Sequence, residues 1–321
     1  MSFDPAEPAE TTSASVPSDS HVATMSNPPG PVTVFGATGS IGSATLASLR
    51  RSSIDCTAVT RALSTQSPSR LRYSQGDLLD PSSISRSLDG ADTVVHTASY
   101  TGSDPRRCDE INRVGTLNLL EAAASHGISS VLYVSTIGVY GLGPHRNVTE
   151  RDGAAAPETP VSASRRAAEI AVLEFGGTVV RPAFVYGTGD RWLFPGVRSI
   201  TGRLGGLVDE GRARTSVVDI GDLADAVAAL VRKGLAGPRV FNAAEPNPPT
   251  LRDIAVAAGV DTASSMGLAT AIDRADELGV RAREIDLVGR DHWYCGDLLW
   301  TTIGSMPSRA FPRSFAKSVG T

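Results

Sequence analysis

Short apolar runs rich in β-branched residues alternate with Ala- and Leu-rich segments of helical length through most of this chain. Strands that are apolar along their whole length are covered on both faces, and helices between them provide the crossovers of a parallel sheet. We therefore predict an α/β fold, a Rossmann-type doubly wound parallel sheet with a smaller C-terminal substrate-binding cap. The expected strands are 32–35, 57–60, 93–96, 131–134, 178–181, 215–218 and 239–241, and the expected helices begin near residues 42, 109, 164 and 222.

The same pattern divides the chain into regions. Residues 1–30 are rich in Pro, Ser, Ala and Thr, and we expect a disordered leader because such a segment buries too little apolar surface to offset its ordering entropy. The remaining boundaries are predicted from where strands and helices alternate regularly and where this alternation becomes irregular. The nucleotide-binding domain is expected over 31–185, with 215–242 returning to it, the cap over 186–214 and 243–310, and a tail over 311–321.

Charge and composition exclude several classes of function. The net charge is −4, and the basic residues form no cluster larger than a neighbouring pair, so we expect no nucleic-acid partner. No apolar run approaches a membrane-spanning length of about 18 residues. No Lys or Arg precedes Arg50, so the basic residues that a targeting signal needs are missing. We expect a cytoplasmic protein with a small-molecule substrate. The three widely spaced cysteines suit reduced thiols better than a disulfide framework or a metal site.

A glycine-rich turn joins the first strand to the first helix. It carries Gly36, Gly39 and Gly42 in the spacing G-x-x-G-x-x-G. The first two glycines let the backbone turn and approach a pyrophosphate at the helix N-terminus, and the third lets the helix pack closely on the strand. A tight turn without a ligand is the alternative. The cofactor-binding residues predicted here are Gly36, Thr38, Gly39, Ser40, Ile41 and Gly42.

The end of the second strand favours NADP(H) over NAD(H). A carboxylate at this place would bind the adenosine ribose, but the strand ends at Thr60-Arg61, and a guanidinium suits a 2′-phosphate. A solvated arginine is the alternative. Asp77 and Leu78 are placed to meet the adenine, although a helix N-cap at Asp80 accounts for part of that signal.

Eight motifs together resemble the extended short-chain dehydrogenase/reductases, which are NAD-dependent epimerase/dehydratase-like proteins. The resemblance runs from residue 31 to about 305 and implies that fold. It also implies that Thr97, Ala98 and Ser99 line the cofactor, and that Pro182, Ala183 and Val185 pass beside the nicotinamide. The motifs are Gly36–Gly42, Gly76-Asp77, Val94–Ala98, Asn112–Thr116, Val134–Gly141, Arg181–Gly187, Val217–Ile220 and Phe241–Ala244.

The chain departs from this family at two catalytic positions. In the family, a Ser or Thr polarises the substrate oxygen, a tyrosine exchanges its proton, and a lysine four residues later lowers the tyrosine pKa and holds the nicotinamide ribose. Thr136 falls at the first position, although a strand-end threonine bonded to backbone is the alternative. Val161 and Arg165 stand at the other two, and neither Lys233 nor Lys317, the two lysines of the chain, follows a tyrosine by four residues.

Loss of the pair changes the expected proton source. Arg165 can donate to ribose hydroxyls, but a group that stays protonated cannot relay a proton. General acid–base help is worth roughly 10² to 10⁴ in rate, so its loss slows carbonyl reduction without forbidding it. The candidate sources are water, Ser99, Tyr100, His145 or a phenol on the substrate, and His145 could instead be a surface residue.

These observations leave three hypotheses. The first is an atypical NADPH-dependent ketoreductase with Thr136, Ser99 and Arg165 in its catalytic site, and it resembles unusual reductases of aromatic polyketide pathways that lack the tyrosine. The second is a catalytically silent NADP(H)-binding sensor or scaffold. The third is a non-redox cyclase or lyase in the same cleft. The residues expected to contact the substrate are Tyr100, His145, Tyr186 and Trp192.

Overall fold

The computed structural model describes residues 30–62, 70–234 and 237–311. The predicted leader and most of the predicted tail lie outside the described residues. The strands are β1 (Val32–Phe35), β2 (Cys56–Thr60), β3 (Leu71–Gln75), β4 (Thr93–His96), β5 (Ser130–Val134), β6 (His145–Val148), β7 (Thr178–Pro182), β8 (Phe184–Tyr186), β9 (Leu207–Val208), β10 (Val217–Asp219), β11 (Arg239–Ala243), β12 (Ser265–Met266) and β13 (His292–Tyr294). The α-helices are α1 (Ser40–Arg51), α2 (Pro81–Ser87), α3 (Pro105–Cys108), α4 (Gly115–Ser125), α5 (Pro160–Glu174), α6 (Leu193–Leu204), α7 (Ile220–Lys233), α8 (Leu251–Ala257), α9 (Leu268–Asp273), α10 (Ala282–Gly289) and α11 (Asp297–Ile303).

Seven strands form one parallel sheet in the order β11-β7-β5-β4-β1-β2-β3. From β1 the chain runs outward through β2 and β3, then returns to β4 on the other side of β1 and runs outward again. The order therefore reverses between β1 and β4, which is where ligands bind in sheets of this type. The predicted doubly wound fold is confirmed.

The inner strands of this sheet contribute to two hydrophobic cores. Val34 and Leu132 pack on one face with side chains of α1 and α7, such as Leu49. Their neighbours Phe35 and Val131 pack on the other face with α2, α4 and α5. Side chains alternate between the faces of a strand, so a strand covered on both sides must be apolar throughout, as the sequence indicated.

Helix α5 begins four residues before the expected start at residue 164. Pro160 occupies its first turn, where a missing N–H costs nothing, and Thr159 and Ser162 form a reciprocal capping box. The early start matters for the site because it places Val161 and Arg165 on the helix. A π-helical turn, Asp109–Val114, joins α3 to α4 within the segment that was expected as one helix.

A third hydrophobic cluster forms the C-terminal part of the molecule, built mainly from α6, α8, α9 and α10. The two-stranded sheet of β8 and β10 connects this part to the core around α1 and α7, because each of its strands contributes side chains to both clusters. A second small sheet, β9 with β12, lies within the third cluster, and a third pairs β6 with β13. The strand expected at 215–218 is β10, and it pairs with β8 and not with the seven-stranded sheet. Among the described residues, no helix is long and apolar enough to cross a membrane.

Candidate active site

The glycine turn packs against the loop that follows β4. Gly36 has a φ of +82°, and a Cβ atom built on it would lie 2.4 Å from the backbone nitrogen of Ala98. A Cβ on Gly42 would lie 2.2 Å from the carbonyl oxygen of Gly36. Thr97 closes the same contact, because its hydroxyl donates to the carbonyl of Phe35 at 2.8 Å. The close packing of the protein itself therefore requires two of the three glycines.

The N-terminus of α1 is open toward solvent. Gly39 is the N-cap residue, and no side chain caps the helix. Thr38, Gly39 and Ser40 are exposed. Because the first N–H groups of a helix lack intrahelical partners and carry partial positive charge, this end fits the pyrophosphate of a dinucleotide.

Arg61 lies one residue beyond β2 and is exposed. Since β2 is the parallel neighbour of β1, Arg61 lies at the same edge of the sheet as the glycine turn. Asp77 is also exposed, but one of its carboxylate oxygens accepts the N–H of Leu79 at 2.9 Å. Leu78 is buried, and the carboxylate of Asp80 accepts from the N–H groups of Ser82 and Ser83, which confirms the N-cap of α2. The carboxylate of Asp77 therefore keeps one oxygen for a ligand.

Thr136 is partly exposed at the end of β5. It caps a short 3₁₀ turn, Ile137–Tyr140, by accepting the N–H of Gly138 at 3.1 Å. The expected alternative, a threonine bonded to backbone, is therefore present. A hydroxyl that accepts one bond still has its own proton to donate. Thr136 thus remains able to donate to a substrate oxygen.

Arg165 is turned toward the end of β5. Its Nη2 donates to the carbonyl oxygens of Val134 and Ser135 at 2.7 and 2.6 Å. Its buried Nε has no hydrogen-bond partner among the described residues. The guanidinium is planar, so fixing one edge also fixes the direction of the remaining Nη1. Arg165 is therefore a positioned, permanently charged donor, and Val161, one turn earlier, offers no proton.

Two buried side chains beside Arg165, His96 and Tyr133, are uncharged near neutral pH. His96 and Tyr133 face each other on β4 and β5, with ring centroids 5.0 Å apart. Burial lowers the pKa of His96 to about 3, and the positive charge of Arg165 acts in the same direction. Burial also raises the pKa of Tyr133, although Arg165 opposes this shift. Near neutral pH this cluster therefore contains one fixed cation and two neutral rings, which gives it no ready proton relay.

A buried ion pair is hydrogen-bonded to the turn that Thr136 caps. Glu169 accepts from Nε and Nη2 of Arg181 at 2.9 and 2.7 Å, and both side chains are almost completely buried. Nη1 of Arg181 also donates to the hydroxyl of Tyr140, which in turn donates to Asn242 at 2.9 Å. These bonds connect α5, β7, β11 and the Thr136 turn, so they fix the main chain on which the candidate site is built.

The remaining predicted residues fall into two groups. Ser99 and Tyr100 follow β4 and are partly exposed at the same sheet edge as Thr136. Of the other substrate candidates, Tyr186 and Trp192 lie in the predicted cap, and His145 lies on β6. Tyr186 is 1% exposed, and its hydroxyl donates to Glu245 at 2.7 Å, so it is occupied within the protein. His145 packs among aromatic rings, including that of Tyr294, and Trp192 is 67% exposed. Of the residues predicted beside the nicotinamide, Pro182 and Ala183 are buried and Val185 is partly exposed.

Sequence reasoning did not single out Asn112 or Arg107 as site residues. Asn112 was noted only as part of a family motif, and Arg107 only as part of a basic pair. In the structure both contact Tyr100. No local signal distinguishes Asn112, because its neighbours in the segment Asp109–Val114 are mostly polar as well.

Comparison with known proteins agrees with this geometry. The sequence model of the NAD dependent epimerase/dehydratase family matches residues 32–244. The chain belongs to this family. The match covers the whole seven-stranded sheet and ends one residue after β11.

Curated relatives match only parts of the chain. Sterol-4-alpha-carboxylate 3-dehydrogenase ERG26, decarboxylating, of Saccharomyces cerevisiae is 31% identical over 144 residues, 40% of this chain and 41% of that protein. 2-alkyl-3-oxoalkanoate reductase of Stenotrophomonas maltophilia is 30% identical over 169 residues, 47% of this chain and 50% of that protein. The chain thus aligns with half or less of the length of these relatives.

Among solved structures, MoeE5 in complex with UDP-glucose and NAD superposes with a TM-score of 0.69 at 24% identity, covering 90% of this chain and 97% of that one. Likeness at this identity establishes the fold. The family includes NAD-dependent epimerases, dehydratases and reductases, so a pyridine nucleotide is the expected cofactor class. Such a cofactor, when bound, gives or takes a hydride at its nicotinamide ring.

Proposed function

We propose that this protein is an atypical NADPH-dependent ketoreductase acting on a small-molecule ketone without the tyrosine–lysine acid of its family. The observation that carries the proposal is the combination of an open glycine turn with Val161 and Arg165 at the two catalytic positions. The nucleotide site is retained, and the usual proton donor is absent. Epimerases and dehydratases of this fold use the tyrosine as a base, so reduction is the better-supported reaction.

Each remaining residue has a role in this proposal. The open N-terminus of α1 holds the pyrophosphate, and Arg61 binds the adenosine 2′-phosphate, which favours NADPH over NADH. Nη1 of Arg165 donates to the nicotinamide ribose. Thr136 and Ser99 hydrogen-bond the substrate carbonyl oxygen and hold it in a reactive orientation. Water or the substrate is the simplest source of the proton.

The substrate class is proposed by analogy. In lacking the tyrosine, this chain resembles the unusual reductases of aromatic polyketide pathways, among them the angucyclinone ketoreductase of simocyclinone assembly. One curated relative is named 2-alkyl-3-oxoalkanoate reductase, a name that also describes reduction of a ketone. We therefore propose an aromatic polyketide ketone from an antibiotic pathway as the substrate and the cytoplasm as the location.

Binding and turnover test the proposal separately. The purified protein is titrated with NADPH and with NADH by nicotinamide fluorescence, and a panel of aromatic polyketide ketones is then added while the reduced-nicotinamide absorbance is followed. Tight NADPH binding with ketone-dependent oxidation supports a ketoreductase. Binding without oxidation of any ketone favours a sensor or scaffold. Failure to bind either nucleotide favours a non-redox cyclase or lyase.

Arg61→Ala tests the cofactor preference. Charge-assisted hydrogen bonds are worth about 1.5–3 kcal/mol, so we expect NADPH affinity to fall by roughly 10- to 150-fold while NADH affinity is kept. Arg86→Ala is the matched control, because Arg86 is another exposed arginine, on α2. An unchanged ratio of the two affinities in Arg61→Ala would contradict the 2′-phosphate assignment.

A further inference from the structure

Tyr100 is held by both of its backbone polar groups. Its N–H donates to Oδ1 of Asn112 at 2.7 Å, and its carbonyl accepts from Nδ2 of Asn112 at 3.0 Å. Asn112 itself is 1% exposed. A buried side-chain amide that binds both the N–H and the C=O of one residue fixes the position of that residue, although Tyr100 lies in a loop.

The same amide connects Tyr100 to the catalytic end of α5. Nδ2 of Asn112 also donates to the hydroxyl of Ser164 at 2.9 Å, and that hydroxyl donates to the carbonyl of Val161 at 3.0 Å. Because one nitrogen binds both oxygens, the carbonyl of Tyr100 and the hydroxyl of Ser164 lie within about 6 Å of each other. Tyr100 is therefore anchored beside the helical turn on which the tyrosine of the family is replaced by Val161.

Asn112 owes its position to irregular backbone. It lies in the π-helical turn between α3 and α4. Such turns are rare and occur frequently at functional sites. The turn is thus a second, backbone-level indication that the contact between Asn112 and Tyr100 has a role beyond packing.

The phenol of Tyr100 remains free to act. Its ring is partly exposed, and its hydroxyl has no hydrogen-bond partner among the described residues. The hydroxyl lies over Gly102, where a Cβ atom would come within 2.2 Å of it. The guanidinium of Arg107 lies 4.7 Å from the ring centroid. A cation at this distance from the ring makes a cation–π contact, which helps to hold the partly exposed ring in place.

Two other phenols near this edge of the sheet are unsuitable. The hydroxyl of Tyr133 is completely buried beneath the sheet edge. The hydroxyl of Tyr140 donates to Asn242 and accepts from Arg181, and its side chain is buried. Tyr100 alone among these three combines exposure, an unengaged hydroxyl and anchoring to α5.

We propose that Tyr100, in place of water or the substrate, is the proton donor of this site and replaces the phenol that α5 lacks. This inference rests on the proposed ketone reduction. The carbonyl carbon accepts a hydride from the reduced nicotinamide, and the carbonyl oxygen accepts the hydroxyl proton of Tyr100. The C=O π bond is thereby replaced by one C–H and one O–H bond, and the phenolate of Tyr100 regains a proton from water.

Tyr100→Phe tests this role with two readouts, turnover and NMR. We expect kcat for the ketone to fall by about 10²- to 10⁴-fold, because one general acid is lost. NADPH affinity should not change, since no step places the phenol on the nucleotide. In protein labelled with ¹³Cζ-tyrosine, the resonance that is missing from Tyr100→Phe should shift in the wild type when ketone is added to the NADP⁺ complex. Tyr73→Phe, on the partly buried edge strand β3, is the matched control for both readouts.

The outcomes separate this inference from the proposed function. Active wild type with an equally active Tyr100→Phe would refute the role of Tyr100 and leave the ketoreductase intact. A loss of turnover accompanied by weaker NADPH binding, without a ketone-dependent shift of the Tyr100 resonance, would also refute it, since that result indicates a structural role. If the wild type failed to oxidise NADPH with every ketone tested, the proposed function would be overturned, and this inference with it.

Discussion

Gly36→Ala should damage both the stability of the protein and its nucleotide site. A residue with a side chain at a φ of +82° costs roughly 1–2 kcal/mol. The new Cβ would also lie 2.4 Å from the nitrogen of Ala98, and overpacking of this kind costs typically about 1–3 kcal/mol. Together these terms predict a loss of about 2–5 kcal/mol in the free energy of unfolding.

Gly90→Ala separates the two terms. Gly90 has a similar φ of +74°, but a Cβ there would meet nothing within 4 Å, and the residue lies between α2 and β4, away from the glycine turn. It should therefore lose only the backbone term of about 1–2 kcal/mol. Urea unfolding measures both losses, and nicotinamide fluorescence measures NADPH affinity, which should weaken in Gly36→Ala alone. Equal losses in the two variants, with equal NADPH affinity, would refute the close-approach argument.

Two further predictions concern buried ionisable groups. Glu169→Gln leaves the guanidinium of Arg181 buried without its counter-charge, so urea unfolding should show a loss of about 3–5 kcal/mol in the free energy of unfolding. Glu174→Gln, exposed on the same helix, is the control and should change that free energy by less than about 0.5 kcal/mol. Similar losses in both variants would contradict the role of the buried pair. The unfolded chain protonates His96 below pH 6.5, whereas the folded chain does so only near pH 3. The free energy of unfolding should therefore fall as the pH is lowered from 6.5 to 3, by up to about 1.4 kcal/mol per pH unit more in the wild type than in His96→Gln. Parallel pH curves for the two proteins would contradict the assignment.

The glycine turn and the long core strands were predictable because their signals are local. The spacing of Gly36, Gly39 and Gly42 directly after an apolar run specifies a strand, a turn and a helix. The position of Arg61 follows from the end of one strand. Strand β3 gave a weaker signal, since it lies at the sheet edge and only Leu71 of its five side chains is buried. The β8 to β10 pairing involves three-residue strands, which are too short to show a periodicity.

The geometry of the catalytic site could not be derived from the sequence. Arg165 was expected to face the ribose, and nothing local indicates that two carbonyls at the end of β5 bind one edge of its guanidinium. The contact of Asn112 with Tyr100 and Ser164 depends on three segments that meet only in the folded chain, and on a π-helical turn that the helical pattern conceals. The sequence therefore predicted the glycine turn and the residues proposed to bind the nucleotide, whereas folding determined which side chains remain free for chemistry.

The central claim is that this protein reduces a ketone with a hydride from NADPH although the tyrosine–lysine pair is absent. The most direct test is turnover with NADPH that carries deuterium at the transferable position of C4, followed by mass spectrometry and NMR of the alcohol. We predict one deuterium on the carbinol carbon and one equivalent of NADP⁺ for each alcohol formed. An alcohol without deuterium, or a product formed while the labelled NADPH remains unchanged, would contradict the claim.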